Sequence, residues 1–559
     1  MPTKVQRAEG PALAAQPRLL TDLFAATARR WPQRPAIDFL GRRTTFGELE
    51  RLVDRAAAGL QALGLKPGDR LALCLPNIIY YPVLFLAALK AGAVVVNVNP
   101  LYVERELRHL LQDSGARFIA TCDLPEIHAR VVAVAEELDL AKVITCPIAD
   151  ALPPLTGLAY RALKRRDIAP PAKGPRHITF ARLTAGRAAP APVAQDPAGA
   201  AVLQYTGGTT GVPKAAMLSH ANLAANAEAM VIHVGGERED QDRILGVLPL
   251  FHVFALTTVL LFALRIGGEM VLLPRFELEQ TLKTIARRRP SYFPAVPTLY
   301  NAIATAAAGR PVDLSGIRAC ISGGAPLPAE VREAFQRTTG GRLVEGYGLS
   351  EASPIITCNP IAGENRDGSA GIPFPGTTIE IRDPEAPHAL LEPGLVGEIC
   401  ARGPQVMAGY WNRPDETAKV FTPDGALRTG DLGRLDEDGY LFIVDRMKDL
   451  IICSGYNVYP RVIEEALYEH PAVAEAVVIA VPDPYRGQAP KAFVALKAGQ
   501  SATPEELAAF LVDKVSKIEA PKAIEIRPSL PRTLIGKLSK KELVEEEAAK
   551  AVQSDREPV

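Results

Sequence analysis

Between Thr45 and Val98 the hydrophobic period switches from helical to extended and back, across links of only a few residues. Thr45-Phe46-Gly47-Glu48 is a capping box, in which a hydroxyl and a carboxylate satisfy each other's orphan N–H groups. The helix it opens should run to about Leu63 and end at Gly64 and the turn Lys66-Pro67-Gly68-Asp69. Leu71 to Leu75 then reads as a strand, Tyr81 to Lys90 as a helix and Val94 to Val98 as a strand. Strand–helix–strand with short links leaves room only for a parallel, doubly wound sheet. A second such unit is expected from Ala201, with a helix at Asn222 to His233 and further elements at Leu282 to Ala286, Tyr292 to Val296 and Ala319 to Ser322.

A chain of 559 residues exceeds one hydrophobic core, so at least two domains are expected. Short β patterns with Gly and Pro turns near Ile379 to Arg382 and Gly397 to Arg402 suggest a small β subdomain. After Asp445-Arg446-Met447-Lys448-Asp449 the pattern becomes compact α+β. The expected division is 1–447, 448–545 and a charged, flexible tail at 546–559.

With 63 acidic and 63 basic side chains the formal charge is zero, against a general nucleic-acid binder. Seven unpaired-looking cysteines point to a reducing compartment, and the N-terminus has no apolar signal region. The uncharged run Ile244 to Leu264 has the length of a membrane span. Pro249 and His252 interrupt it, so a buried strand–turn–helix is expected. The Pro-, Ala- and Arg-rich stretch from Ala151 to Ala198 reads as a linker carrying one small helix. Its segment Leu155 to Arg166 mixes apolar and basic residues, which also suits peripheral membrane contact.

Chemistry is concentrated in a few short strings. Tyr205-Thr206-Gly207-Gly208-Thr209-Thr210-Gly211-Val212-Pro213-Lys214 offers backbone N–H groups, hydroxyls and one ammonium to anionic oxygens. It is not the common nucleoside-triphosphate loop, because Lys214 follows Pro213; alone, a surface turn is the competing reading. In Glu345-Gly346-Tyr347-Gly348-Leu349-Ser350-Glu351 two glycines flank an aromatic that can stack, and Glu351 can hold a hard cation. Thr429-Gly430-Asp431 supplies a carboxylate whose two oxygens suit vicinal hydroxyls, although an Asp after Gly by itself reads as a turn residue. His-Glu-x-x-His, Cys-x-x-Cys and Gly-x-Ser-x-Gly patterns do not occur.

Taken in order, these strings resemble the adenylate-forming superfamily of acyl-CoA synthetases, peptide-synthetase adenylation domains and luciferases. The resemblance runs to about Leu543 and is closest to bacterial medium- and long-chain fatty-acid–CoA ligases. It implies an α/β fold: a large N-terminal domain of two doubly wound subdomains plus a small β subdomain, with a smaller mobile α+β C-terminal domain. It implies that Thr206, Gly207, Gly208, Thr209, Thr210, Gly211 and Lys214 cradle the phosphates of ATP. Gly324, Ala325, Glu345, Gly346, Tyr347, Gly348 and Ser350 would lie around adenine, with Ile443 also at the nucleotide. Thr206 and Glu351 would hold Mg²⁺, Asp431 the ribose, and Arg446 the ribose or phosphate.

Pro531 to Lys537 resembles the C-terminal signature. Lys537 would be the adenylation lysine, Lys448 the hinge, and Ser454 with Gly455 would help admit CoA. Leu250 to Phe254 resembles the acyl-site element, with His252, Val253, Phe254 and Tyr347 at the acyl group. His252 reads equally well as a satisfied core histidine or as a residue that orients the carboxylate. No Asp is offered there to an amino acid's ammonium, whereas an acyl chain would gain ~0.8 kcal/mol per buried CH₂. The implied activity is conversion of a fatty acid to acyl-AMP and then acyl-CoA. A dicarboxylate substrate with Arg265 at the pocket end, or a carrier-protein acceptor, are the alternatives. Fatty acid, ATP and CoA, a homodimer and the inner face of the membrane are the implied partners of a cytoplasmic enzyme, without nucleic acid.

Overall fold

The computed structural model describes residues 5–14, 16–170, 172–206, 213–310, 312–454, 456–533 and 538–554, with side chains as far as 550. The chain folds into two units. The larger comprises Glu9–Thr378 and Ala401–Leu427, the smaller Met1–Ala8, Ile379–Cys400 and Arg428–Val559.

In the larger unit the capping box is present: Glu48 N donates to Thr45 Oγ1 at 3.2 Å and Thr45 N to Glu48 Oε2 at 2.8 Å. Such a cap is worth about 1 kcal/mol to the helix Phe46–Ala62. The strands Arg70–Cys74 and Val94–Asn97 pair in parallel on either side of the buried helix Tyr80–Lys90 in sequence, as the alternation requires. They lie in a seven-stranded sheet with Phe118–Cys122, Lys142–Cys146 and His177–Thr179 on one flank.

On the other flank the sequence expectation needs correction. Ala200–Thr206 does not open a second sheet; Val202 and Leu203 pair in parallel with Val95 and Val96 of the first. Both strands are apolar on both faces, so a central position buries them best. The chain then returns as an antiparallel strand, Lys214–Ser219, before the helix His220–His233. Lys214 therefore starts a strand and does not stand at a helix N-terminus.

The second sheet runs Arg243–Gly246, Glu269–Leu272, Pro35–Phe39 and Arg42–Thr45. Tyr292 to Val296 is not a regular strand: Tyr292 makes isolated bridges to Ile244 and Ala319, and Ala295 to Ser322. Pro294 lacks the N–H that a continuous ladder needs. Through those bridges the strand Ala319–Ser322 follows, and it pairs in parallel with Arg342–Gly348.

The run Ile244 to Leu264 is a strand, a turn and a buried helix that widens into a π-helical turn over Leu256–Leu261. Thr257 donates to Ser353 O (2.6 Å) and Thr258 to Phe254 O (2.7 Å), so its hydroxyls are satisfied inside. Among the described residues no helix is long and apolar enough to cross a membrane. All seven cysteines are free and buried.

The smaller unit has a β-sheet of Arg7–Glu9, Thr378–Arg382, Gly397–Arg402, Leu427–Leu435 and Leu441–Arg446. Its second sheet is centred on the long hairpin Val473–Asp483 and Gly487–Leu496. A core of Ile451, Ile463, Val478, Val494 and Leu507 lies between that sheet and its helices. The helix Lys540–Ser554 takes in much of the expected tail. Glu546 and Glu547, there expected to be solvated, pair with Arg527 and Lys491 of the sheet at 2.7 and 2.9 Å.

Candidate functional site

Within the larger unit the site residues are held by partners remote in sequence. Thr206 ends its strand opposite Lys214, and its hydroxyl donates to Lys214 O at 3.3 Å. The glycines and threonines from Gly207 to Gly211 lie outside the described residues. Just before Thr206, the Tyr205 hydroxyl donates to Asp113 Oδ2 (2.7 Å), and Arg413 pairs with Asp113 Oδ1 (2.6 Å). Asp113, on the helix Glu104–Ser114, thus ties the end of the phosphate strand to the segment around Arg413.

That segment organises the site. Met217 N donates to Gly409 O and Trp411 N to Ala215 O, both at 2.9 Å, laying residues 409–411 along the strand Lys214–Ser219. Met407 N donates to Glu351 O at 2.8 Å, and the Tyr410 hydroxyl to Glu351 Oε1 at 2.7 Å. Burial, then the adjacent Glu351 carboxylate, pushes the Tyr410 phenol well above its ordinary pKa, so it remains a donor. The Lys214 ammonium pairs with Glu416 and lies 5.5 Å from the Tyr410 ring centroid. Hydrogen bonds from Lys214 and then Lys419 hold the Glu416 carboxyl at about 2. None of Asp113, Tyr410 or Glu416 was singled out by sequence reasoning. Gly409-Tyr410-Trp411 carries no periodic or spacing signal that points back to Glu351.

Glu351 sits on a single 3₁₀ turn, Ser350–Ala352, directly after the strand that carries Glu345, Gly346, Tyr347 and Gly348. The glycines allow close approach of the chain to itself: a Cβ on Gly348 would stand 1.9 Å from Pro354 O. Glu345 Oε2 accepts from Leu327 N (2.9 Å), fixing the loop that carries Gly324 and Ala325. Gly324 has φ +84°, a turn conformation that suits glycine. A Cβ on Gly323 would meet the Phe254 ring at 3.0 Å, so the expected adenine-side and acyl-side elements are in contact.

His252 caps its helix: Nδ1 accepts from Phe254 N at 3.3 Å. The element Leu250 to Phe254 is fixed from the first sheet by a polar ladder. Tyr81 donates to Asn97 (2.6 Å), Asn97 to Gln204 (2.9 Å) and Gln204 to Phe251 O (3.2 Å). Asn77 accepts from Leu250 N (2.8 Å) and donates to Leu248 O (2.8 Å). Arg265 is already committed to two carboxylates, Glu228 (2.5 and 2.9 Å) and Glu237.

In the smaller unit Asp431 and Arg446 face each other across an antiparallel pair, with Arg446 Nε 3.2 Å from Asp431 Oδ1. Asp431 is buried and Arg446 exposed. Thr429 donates to Ile399 O (2.8 Å) and accepts from Asp431 N (3.1 Å), which sets the carboxylate's direction. Ile443 lies on the partner strand, and Lys448 on the 3₁₀ turn Met447–Asp449 that follows it. Asp445, buried beside them, accepts from Arg446 N (2.7 Å) and Arg461 N (2.9 Å). Ser454 turns the hairpin after Ile451–Cys453 with φ +52°; Gly455 lies outside the described residues. Lys537 lies outside them too; on either side of its segment, Arg532 bridges Leu538 and Ser539 N donates to Pro531 O (2.8 Å).

Against known proteins, the family described as AMP-binding enzyme matches residues 24–411, and the AMP-binding enzyme C-terminal domain matches 462–537. A long-chain-fatty-acid–CoA ligase of Bacillus subtilis (strain 168) is 42% identical over 547 residues, 95% of each chain. A ligase of the same description from Escherichia coli O157:H7 is 38% identical over 95% of each. Among solved structures, ATP-bound MatB from Rhodopseudomonas palustris is 31% identical with TM-score 0.81, covering 94% of this chain and 98% of its own. A benzoate CoA ligase from Burkholderia xenovorans LB400 reaches TM-score 0.80 at 27% identity, covering 94% and 99%.

Proposed function

The chain belongs to the AMP-binding enzyme family and is an AMP-forming acid–thiol ligase, and from that premise we propose that it activates medium- or long-chain fatty acids. In the first half-reaction the fatty-acid carboxylate attacks the α-phosphorus of ATP; the P–O bond to pyrophosphate breaks and acyl-AMP forms. In the second, the CoA thiol gives up its proton, sulfur attacks the acyl carbon, and AMP leaves as the thioester forms. Lys537 offsets the negative charge that gathers between carboxylate and α-phosphate in the first step. Asp431 accepts hydrogen bonds from the ribose, Arg446 adds a cationic donor, and Lys214 pairs with phosphate oxygens.

Mg²⁺ would be held by Glu351 and Thr206, whose hard oxygen donors fit that ion, and would supply charge neutralisation to the phosphates. Tyr410 occupies one Glu351 oxygen as donor and so orients the carboxylate. Lys448 serves as the hinge between the half-reactions, and the segment of Ser454 and Gly455 helps admit the CoA thiol. The enzyme works on the cytoplasmic side and as a homodimer.

The observation that carries the monocarboxylate reading is the acyl-side element. His252, Val253 and Phe254 lead into a buried helix, and the candidate counter-charge, Arg265, is neutralised by Glu228 and Glu237. A second carboxylate or an ammonium placed against that helix would be desolvated without a partner.

The test is pyrophosphate and AMP release from Mg·ATP, with and without CoA, across mono- and dicarboxylic acids from acetate to stearate. CoA-dependent turnover peaking between octanoate and palmitate is expected. A peak with diacids or aromatic acids overturns the substrate class; pyrophosphate release indifferent to CoA overturns the thiol acceptor in favour of a carrier protein.

A further inference from the structure

An amphipathic helix ordinarily turns its apolar stripe to the core. The helix Pro154–Leu163 does the reverse. At the helical repeat Leu155, Leu158, Ala159, Ala162 and Leu163 share an arc of roughly 140°, and every one of them is exposed. Leu155, Leu158 and Leu163 retain 83%, 64% and 83% of their accessible surface. The opposite side is the seated one. A Cβ on Gly157 would stand 2.3 Å from Ala149 O, Tyr160 is half-buried, and Arg161 pairs with Asp150. The helix is therefore held with its leucines outward.

Charge identifies what such a face suits. From Arg161 to Arg187 there are eight Lys or Arg and one acid, Asp167, in a chain whose totals balance at 63 each. Lys164 pairs with Asp167 and Arg176 with Asp139. Arg165 and Arg166, at the C-terminal end of the leucine arc, are exposed and make no ion pair among the described residues. Three leucines in solvent, edged by uncompensated guanidinium groups, match a phase that is apolar beneath and anionic at its surface. A nucleic acid would use the arginines but leave the leucines wet.

We propose that Leu155, Leu158 and Leu163, with Arg165 and Arg166, form a docking surface for the headgroup region of an anionic lipid bilayer. The leucines enter the boundary of the acyl layer and the guanidinium groups stay among the phosphates. This surface goes beyond the ligase reading and does not depend on it, because docking requires no turnover.

The test uses the full chain and sucrose-loaded vesicles, either phosphatidylcholine alone or phosphatidylcholine and phosphatidylglycerol in equal parts. Co-sedimentation is expected on the mixed vesicles and to fall as salt is raised. Leu155→Ser/Leu158→Ser/Leu163→Ser should lower the bound fraction about tenfold or more. Arg165→Gln/Arg166→Gln should lower it at least about fivefold on mixed vesicles and leave phosphatidylcholine unaffected. Neither variant should change Tm or ATP–pyrophosphate exchange with a short, soluble fatty acid. Wild-type protein that leaves both vesicles unbound, or leucine variants that bind as well as wild type, overturn the proposal. So does a leucine variant that dissociates a dimer in sedimentation velocity while vesicle binding persists; the face would then belong to a second copy of the chain.

Discussion

Two carboxylates proposed to handle the nucleotide are held in opposite ways. Asp431, in the smaller unit, is set by its own strand pair: register places it opposite Arg446, and Thr429, two residues back, directs it. Glu351, in the larger unit, is set by a tyrosine 59 positions later in the chain, on a segment that also carries Lys214's partner Glu416. The first arrangement is local and half open to solvent. The second is a lattice of long-range contacts. Perturbing the smaller unit should therefore remove a function cleanly, whereas perturbing the larger should bend a function by moving the group that performs it.

The largest effect expected belongs to the smaller unit. Lys537→Ala should slow acyl-AMP formation about 10²–10³-fold, the scale of losing one focused charge at a reacting centre. Conversion of preformed acyl-AMP to thioester should be nearly unchanged. Single-turnover assays of the two half-reactions separate these, and equal loss in both would remove Lys537 from its role. Asp431→Ala should act on the same side of the comparison, raising KM for ATP more than it lowers kcat.

Acid should reach the larger unit through its interior. His220 is buried, burial lowers its pKa to about 4, and its Nδ1 accepts from Leu20 N at 3.4 Å, a role only the unprotonated nitrogen can fill. Its folded pKa lies below the ordinary 6.5, so the unfolded chain takes up the proton first. Stability is thus full above pH 6.5 and declines as pH falls from there toward 4, by about 2 kcal/mol at pH 5. Thermal melts from pH 7 to pH 5 should show the decline; His220→Asn should reduce it without abolishing it, because burial also lowers His233 to about 4. A slope unchanged in the variant would assign acid sensitivity elsewhere.

How far each region could be read from sequence follows the same division. The capping box at Thr45 and the buried run from Ile244 to Leu264 were legible because their partners are close in sequence or share one hydrophobic period, whereas Asp431 and Arg446 were named through the resemblance and their strand pairing was not read. Tyr292 to Val296, expected as an element of unstated type, makes only isolated bridges because Pro294 lacks the N–H of a continuous ladder. The neighbour of Ala200–Thr206 was misread because an apolar strand does not state which sheet it completes. Tyr410, Glu416 and Asp113 left no trace: their meaning exists only once strands far apart in the chain lie side by side.

Tyr410→Phe tests the long-range lattice directly. It removes one hydroxyl and leaves the ring beside Lys214, so packing is kept and the unfolding free energy should stay within ~1 kcal/mol of wild type. Glu351 loses its donor and gains freedom to turn. Adenylation should fall about tenfold, the scale of one charge-assisted hydrogen bond, with a rise in the Mg²⁺ concentration needed for half-maximal rate. A rate loss with unchanged Mg²⁺ dependence would assign the hydroxyl to something other than Glu351.

The smallest effect tests whether Glu416 competes with the nucleotide for Lys214. The Lys214 ammonium is engaged by Glu416, which Lys419 shares. Phosphate oxygens must displace a carboxylate to reach it, so the pair raises the ATP concentration required. Glu416→Gln keeps the shape, removes the charge and should lower KM for ATP about twofold to fivefold, with kcat held. Tm should stay at its wild-type value, because both side chains are partly solvated and such pairs contribute little. If KM rises instead, Glu416 is pre-orienting Lys214 for the phosphates and not restraining it. The larger unit's long-range contacts would then resemble the Asp431–Arg446 hairpin in effect as well as in charge.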